Sequence, residues 1–472
     1  MRSYVSIFVR NGISLVGTAI ATAMATLFLV LLLSDLAGWV SNPYFGLLLF
    51  VAVPAAFVVG LLLIPLGHWR DRRRRRRAPD RPPSDWPVID LRLARTRTIA
   101  VAVLTLTVVN LVIVSVATYG GVHYMETTAF CGTVCHTTME PEFVAHQNGP
   151  HARVACAACH VGPGVDALVA SKLAGTRQLW DVVTHRVPKP VPPPIATMRT
   201  AQETCEQCHW PEKFHGDKFL VRTKYADDEA NTASTTVLVL KIGGRNGRDS
   251  VGIHGTHLDP KRQIDYVSTD GRRQVIPQVT VADAAGTRRY DSTDVHPTAE
   301  QLAEGERRRM DCMDCHNRPT HAFELPERAL DRALSEGRVS AELPYIKKIS
   351  IQLLRAEYPD QDTAARRIAE GLGEFYRASY PAVYQQHRSA VETAAAEVQA
   401  IYRRNVFPGM KVAWGTYPNN IGHEDFLGCF RCHDESHKRA DGRTITQDCN
   451  ACHTILAQDE SNPKVLSDLG LK

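Results

Sequence analysis

All 12 cysteines of this 472-residue chain fall into six pairs, and each pair is followed at once by a histidine. Five pairs have the spacing C-x-x-C-H: Cys156/Cys159/His160, Cys205/Cys208/His209, Cys312/Cys315/His316, Cys429/Cys432/His433 and Cys449/Cys452/His453. The sixth, Cys131/Cys135/His136, is stretched by one residue. This spacing is that of c-type haem attachment. Two thiols add across the two vinyl groups of one porphyrin, and the next residue presents an imidazole to the iron. A random chain of this composition would hold on the order of 0.01 such motifs. Zinc ribbons also use C-x-x-C pairs, but nothing in zinc coordination requires a histidine after every second cysteine. Disulfide oxidoreductases typically use one such pair in a thioredoxin-like setting. The cofactors expected are six covalently bound haems.

Haem iron takes two axial ligands, and their identity tunes its potential. The regular motifs supply His160, His209, His316, His433 and His453 as proximal ligands. Besides the motif histidines and His68, twelve remain as second ligands: 123, 146, 151, 185, 215, 254, 257, 296, 321, 387, 423 and 437. That excess predicts mostly bis-histidine coordination, with His151, His254, His321, His423 and His437 favoured by position. The first motif reads FCGTVCHTTM, so either His136 or Met139 can serve as its ligand. A Met ligand or an open position would raise that haem's potential.

These motifs need a scaffold, and the first part of it is a membrane. Three apolar stretches, about 12–34, 44–66 and 98–118, are near the ~20 residues that cross a bilayer as a helix. The first is too long for the apolar core of a cleaved signal, and a second follows at once. Residues 1–97 hold 13 Arg and no Lys against five Asp and no Glu, a local charge of +8 within a chain of +5. Arg70, Arg72 to Arg77, Arg81, Arg92, Arg95 and Arg97 all fall between the second and third stretches. The positive-inside rule therefore keeps the 70–97 loop cytoplasmic and places everything after about Tyr119 on the outer side. All six motifs lie on that side. The body beyond the spans is mildly acidic, which argues against nucleic acid as a partner.

Beyond the 1–119 membrane domain, the sequence divides into five regions. Residues 120–215 carry motifs one to three, and 216–300 read as a β-rich insertion, with TTVLVLKIGG and QIDYVSTDGRRQVIPQVTVAD mixing β-branched runs and turn residues. Residues 301–330 carry motif four. AARRIAEGLGEFYRASY and AVETAAAEVQAIYRR give 331–404 the apolar spacing of helices. Residues 405–472 carry motifs five and six. The fold class expected is mainly α with a β-rich insertion: three N-terminal transmembrane helices, then an exported multihaem cytochrome c region with little regular structure around the haems.

The membrane anchor, the first motif with its following Met and HARVACAACHVGPG (151–164) together resemble the NapC/NirT-type quinol dehydrogenases. TCEQCHWPEKFHGDK (204–218), VGIHGTH (251–257), MDCMDCHNRPTHAF (310–323) and NVFPGMKVAWGTYPNNIGHEDFLGCFRCHDESH (405–437) are similar to a longer multihaem branch of that superfamily, one that includes cytochromes feeding extracellular metal reduction. The resemblance covers nearly all of the region after the spans. It implies quinol dehydrogenase activity in an electron-transfer protein of a bacterial inner membrane, facing the periplasm. The implied partners are the quinone pool, with menaquinol as substrate, the lipid bilayer, and periplasmic cytochromes or a reductase complex. In the simpler members a Lys about three helical turns after the second motif approaches the first haem and the quinol. Lys172 stands at that place, and Gln178 or Asp181 stands near the position of the family's acidic partner. The chain departs from the simple members in having three apolar spans rather than one and six motifs rather than four.

Two other functions fit the same motifs. One is an electron conduit within a larger respiratory complex, with no quinol site of its own. The other is a multihaem reductase of a small oxyanion such as nitrite, which would need one haem with an open distal face.

Overall fold

The computed structural model describes residues 11–37, 45–76, 92–134, 136–193, 199–214, 216–246 and 249–471. The chain forms two compact units, Met1–His136 and Thr137–Lys472.

The first unit holds three long apolar helices, α1 (Gly12–Leu36), α2 (Val53–Arg76) and α3 (Ala94–Met125). Asn11 caps α1 by accepting a hydrogen bond from the Ser14 amide at 2.8 Å. At about 1.5 Å per residue, each helix exceeds the ~30 Å of a hydrocarbon core. Helix α2 runs past its apolar stretch into the arginines, and Arg73 lies over the Trp69 ring at 5.1 Å. Residues 77–91, most of the arginine-rich loop, lie outside the described residues. Helices α1 and α2 touch through small residues. A Cβ on Gly17 would stand 2.7 Å from the Gly60 carbonyl oxygen, and one on Gly60 would stand 2.7 Å from the Ala21 amide. Such close approach is how apolar helices associate in lipid, where the hydrophobic effect gives little attraction between them. Phe28, Leu49, Val53, Phe57, Ile113 and Ala117 fill the centre.

The second unit opens within α4 (His136–Gln147), followed by α5 (Cys156–His160) and α6 (Val165–Val183). Strands β1 (Lys218–Tyr225) and β2 (Ala233–Leu240) pair in antiparallel register, Lys218 opposite Leu240. A short helix, α7 (Gly252–His257), precedes β3 (Gln263–Ser268), β4 (Gln278–Asp283), β5 (Gly286–Ser292) and β6 (Glu306–Arg309). Then come α8 (Cys312–Cys315) and four amphipathic helices, α9 (Pro326–Ser335), α10 (Ile346–Arg355), α11 (Gln361–Ser379) and α12 (Arg388–Asn405). The C-terminal part adds β7 (His437–Lys438), α13 (Cys449–Cys452) and β8 (His453–Glu460).

The strands of 216–300 do not stand alone. The three-stranded sheet has the order β1-β2-β8, and the larger sheet has the order β6-β3-β4-β5-β7. Both therefore take an edge strand from the C-terminal residues. The sequence of 453–460, HTILAQDE, alternates too weakly to announce a strand, and it pairs because β2 offers it an open edge. Helices α9 to α12 enclose a core of Leu330, Ile346, Leu354, Ile368, Leu372, Tyr376, Val391 and Ile401. Their apolar residues recur at helical spacing, which is why this block reads as helix from sequence.

Candidate functional site

Short helical turns carry most of the cysteine pairs. Cysteines three apart on one turn present both thiols to one side. Asp311 caps α8, accepting from the Met313 amide at 2.8 Å, and Asp448 caps α13, accepting from the Asn450 amide at 3.0 Å. The chain then turns so that each histidine amide reaches back to its first cysteine. His316 and His209 donate to the Cys312 and Cys205 carbonyls at 2.8 Å, and His433 to that of Cys429 at 3.1 Å.

The cysteines assigned to haem attachment are not equally enclosed. Cys208 and Cys449 are exposed, whereas the other described motif cysteines are half-buried. Cys208 departs from the pattern for a local reason. The helical turn Ala201–Thr204 ends before motif three begins, so Cys205 to Cys208 form an open turn, closed by the Cys208 amide donating to the Cys205 carbonyl at 3.1 Å. Cys205 faces inward from that turn and Cys208 faces solvent. Sequence spacing makes the two thiols of a motif equivalent, and the fold distinguishes them at motifs three and six.

Each of the five regular motif histidines faces one further histidine. The ring centres lie 6.2 Å apart for His160 and His321, 6.0 Å for His209 and His151, and 6.3 Å for His316 and His254. They lie 5.9 Å apart for His433 and His257, and 6.2 Å for His453 and His423. A metal–imidazole bond is about 2.0 Å, so two imidazoles on opposite sides of one metal hold their ring centres about 6 Å apart. All five pairs meet that figure. Most come from distant segments: His151 precedes motif two yet faces motif three, and His321 follows motif four yet faces motif two.

The other ring nitrogens are fixed as ligand histidines require. Nδ1 donates to a backbone carbonyl in His257 (Ile253, 2.8 Å), His433 (Thr446, 2.8 Å), His321 (Glu142, 2.9 Å) and His151 (Pro319, 3.3 Å). His254 and His453 leave Nδ1 buried without a hydrogen-bond partner among the described residues. Burial lowers the pKa of His160, His254, His257, His316 and His453, and takes His321 to about 3, aided by the Arg318 charge. These groups thus stay neutral, the form that binds a metal. The thiol pairs, the facing imidazoles and the four anchored Nδ1 atoms fit covalently attached haem at the regular motifs.

His437 is placed differently from its expected role. It is 1% exposed, its Nδ1 meets Asp434 Oδ1 at 2.8 Å, and its Nε2 donates to the Ile276 carbonyl at 2.7 Å. Both nitrogens are engaged, and it locks β7 against the larger sheet. His257 stands opposite His433 instead. The sequence carried a signal for this: in GIHGTH, His254 and His257 are three apart on α7, so one helix serves two motifs.

In motif one, Cys131 lies in the π-helical turn Phe130–Val134, while Cys135 and the side chain of His136 lie outside the described residues. Met139 is exposed on α4. Lys172, Gln178 and Asp181 all lie on α6, Lys172 and Asp181 half-buried and Gln178 exposed.

The thiols of successive motifs are neighbours. Burial and then the Cys312 and Cys159 thiols raise Cys205 to about 11, and burial and Cys429 raise Cys315 to about 12. Cys452 is raised by burial and by Cys429. Motifs two to six therefore follow one another in space in the order of the sequence.

Residues 94–190 match the N-terminal region of the NapC/NirT cytochrome c family. The chain is also 40% identical over 457 residues to the cytochrome c-type protein ImcH of Geobacter sulfurreducens, covering 96% of this chain and 90% of that protein. No solved structure matches. With three apolar helices long enough to cross a bilayer and haem-binding motifs throughout its second unit, this chain belongs to the membrane-anchored c-type cytochromes of the NapC/NirT family.

Proposed function

We propose that this cytochrome carries six covalent haems and oxidises menaquinol at a bacterial inner membrane. It passes the electrons to periplasmic cytochromes or a reductase complex. The 70–97 loop is on the cytoplasmic side in this reading, and residues after Tyr119 face the periplasm. The observation that carries the reading is the set of five facing histidine pairs at 5.9–6.3 Å. When bound, each haem supplies a one-electron centre. The residues assigned to the two iron faces are His160 with His321, His209 with His151, His316 with His254, His433 with His257, and His453 with His423. With both faces assigned at all five regular motifs, a reductase of a small oxyanion lacks an open site there. The adjacency of successive thiols supports a route in sequence order from motif two to motif six.

Quinol oxidation releases two electrons, taken one at a time, and two protons. Lys172 is assigned to the protons, since an amine can take up and pass on a proton. The family resemblance supports this position, with Gln178 or Asp181 as its polar partner. The test uses Lys172→Ala protein with six haems by pyridine haemochrome and intact mass. Reduction by a menaquinol analogue should fall at least tenfold while reduction by dithionite is unchanged. Unchanged quinol reduction would remove Lys172 from the site and favour the conduit function.

A further inference from the structure

Motifs four and five are joined by an arginine that neither thioether attachment nor iron ligation uses. Arg431 lies inside the C-x-x-C spacer of motif five, CFRCH, and is 7% exposed. Its Nε donates to the Gly428 carbonyl at 2.9 Å, closing its own turn. One terminal nitrogen donates to the Arg273 carbonyl at 2.7 Å, and the other donates to the Asp314 carbonyl at 2.6 Å. Asp314 lies inside the spacer of motif four, CMDCH. One guanidinium therefore ties together the two spacers and the hairpin between β3 and β4. Asn420, also buried, donates to the same Asp314 carbonyl at 3.1 Å.

The charges around it are countable. The buried Asp314 carboxylate accepts from Tyr266 Oη at 2.6 Å and from Arg308 Nε at 2.8 Å, and Arg308 also pairs with Asp311 at 2.8 Å. One cation is thus shared by two carboxylates. Arg273 is occupied by Glu306 at 2.6 Å. Asp434 lies beside Cys432 and is engaged by His437 at 2.8 Å. Among the described residues no carboxylate pairs with Arg431, so its charge offsets the one left on the Arg308 cluster. A buried cation held only by carbonyls is costly unless its charge is used. Its position beside Cys315, Cys429 and Cys432, each of which feels its charge, puts it between two attachment sites.

We propose that Arg431 is a positioning residue that clamps haem motifs four and five together and holds the potentials of both haems up. A positive charge in a poorly solvated site disfavours the extra positive charge of ferric iron, so it favours the reduced form. The planar fork is needed because three carbonyls must be met at once, which a Lys ammonium on its flexible stem does poorly. This inference rests on reading the two motifs as haem sites.

The experiment is a redox titration of the full-length protein followed by visible and paramagnetic resonance spectra. Arg431→Gln and Arg431→Met remove the charge, and Arg431→Lys keeps it. Haem number, measured by pyridine haemochrome, tests the haem reading separately. With six haems in place, either neutral variant should lower the midpoints of two haems. The oxidised-to-reduced ratio at fixed poise should rise about tenfold, which is about 59 mV for one electron. Lys should restore the midpoints while the low-spin signals of the same two haems still change, because the clamp is lost. Loading of haems four and five in Lys but in neither neutral variant would also support the charge requirement. Unchanged midpoints in a fully loaded neutral variant, or a Lys variant that falls as far as the neutral ones, would overturn the proposal. Failure of all three to load would equally overturn it, in favour of a packing role alone.

Discussion

The helical block α9–α12 and the motif-bearing segments around it are built on different principles. The block closes on its own side chains: Leu330, Ile346, Leu354, Ile368, Leu372, Tyr376 and Ile401 show no exposed surface. Every described motif cysteine, by contrast, is half-buried or exposed, Cys208 and Cys449 being the exposed ones. The clusters near the motifs are small, with Tyr266, Ile276 and Val279 in one and Phe323, Phe407, Met410 and Tyr417 in another. Burying a large apolar side chain contributes about 1.5–3 kcal/mol. The block sets many such residues against the conformational entropy of folding, and the motif segments set fewer. Their facing imidazoles stand instead at the separation that a metal macrocycle spans. The difference teaches that one part of the unit is stabilised by polypeptide and the other by its prosthetic groups.

The largest effect expected follows from withholding those groups. The full chain produced without haem attachment should lose amide protection across 137–214 and 406–460 while α9–α12 keep theirs, as read by hydrogen exchange with mass spectrometry. Uniform loss, or uniform retention, would break the comparison. Next in size are truncations inside the block. Leu330→Ala or Ile368→Ala should cost about 2–5 kcal/mol by denaturant unfolding, with the haem spectrum unchanged at low denaturant. A change in that spectrum would mean the two parts are not separable.

A smaller and sharper test sets His257 against His437. His257→Ala should turn one haem high-spin in low-temperature paramagnetic resonance. His437→Ala should keep all low-spin signals and cost about 1–3 kcal/mol, through the unmet Ile276 carbonyl and Asp434 carboxylate. The opposite pattern would return His437 to the iron. The smallest effect belongs to the surface. Lys464→Ala breaks an exposed pair with Asp468 at 2.7 Å and should change stability by under about 0.5 kcal/mol.

Sequence carried this structure unevenly. The apolar helices and the α9–α12 block were readable because both depend on local patterning. The motifs were readable because two bonds to one porphyrin fix the spacing of their residues. Strand β8 was not, since its partner strand lies more than two hundred residues away and its own pattern is weak. Helix α2 continues past its apolar stretch because arginines are good helix formers, and hydropathy alone does not see that. The partner of each motif histidine was the least readable feature. His257 shares GIHGTH with His254 at helical spacing, but it takes the packing of α7 and the Asp434–Ile276 contacts of His437 to choose between His257 and His437. The exposure of Cys208 was equally hidden, because it depends on where the preceding helical turn stops. Asp314 and Arg431 sit in the variable spacer positions of their motifs, where sequence gives no sign that they meet.

The crossed histidine pairs also set an order of completion. In chain order His160 precedes the His321 it faces by 161 residues, and His257 precedes His433 by 176. In the proposed topology, a chain crossing the bilayer from its N-terminal side would present motif two before the histidine that faces it. The final segment, with His423, His433 and His453, would complete the last two pairs together, so a chain ending before residue 405 would lack both.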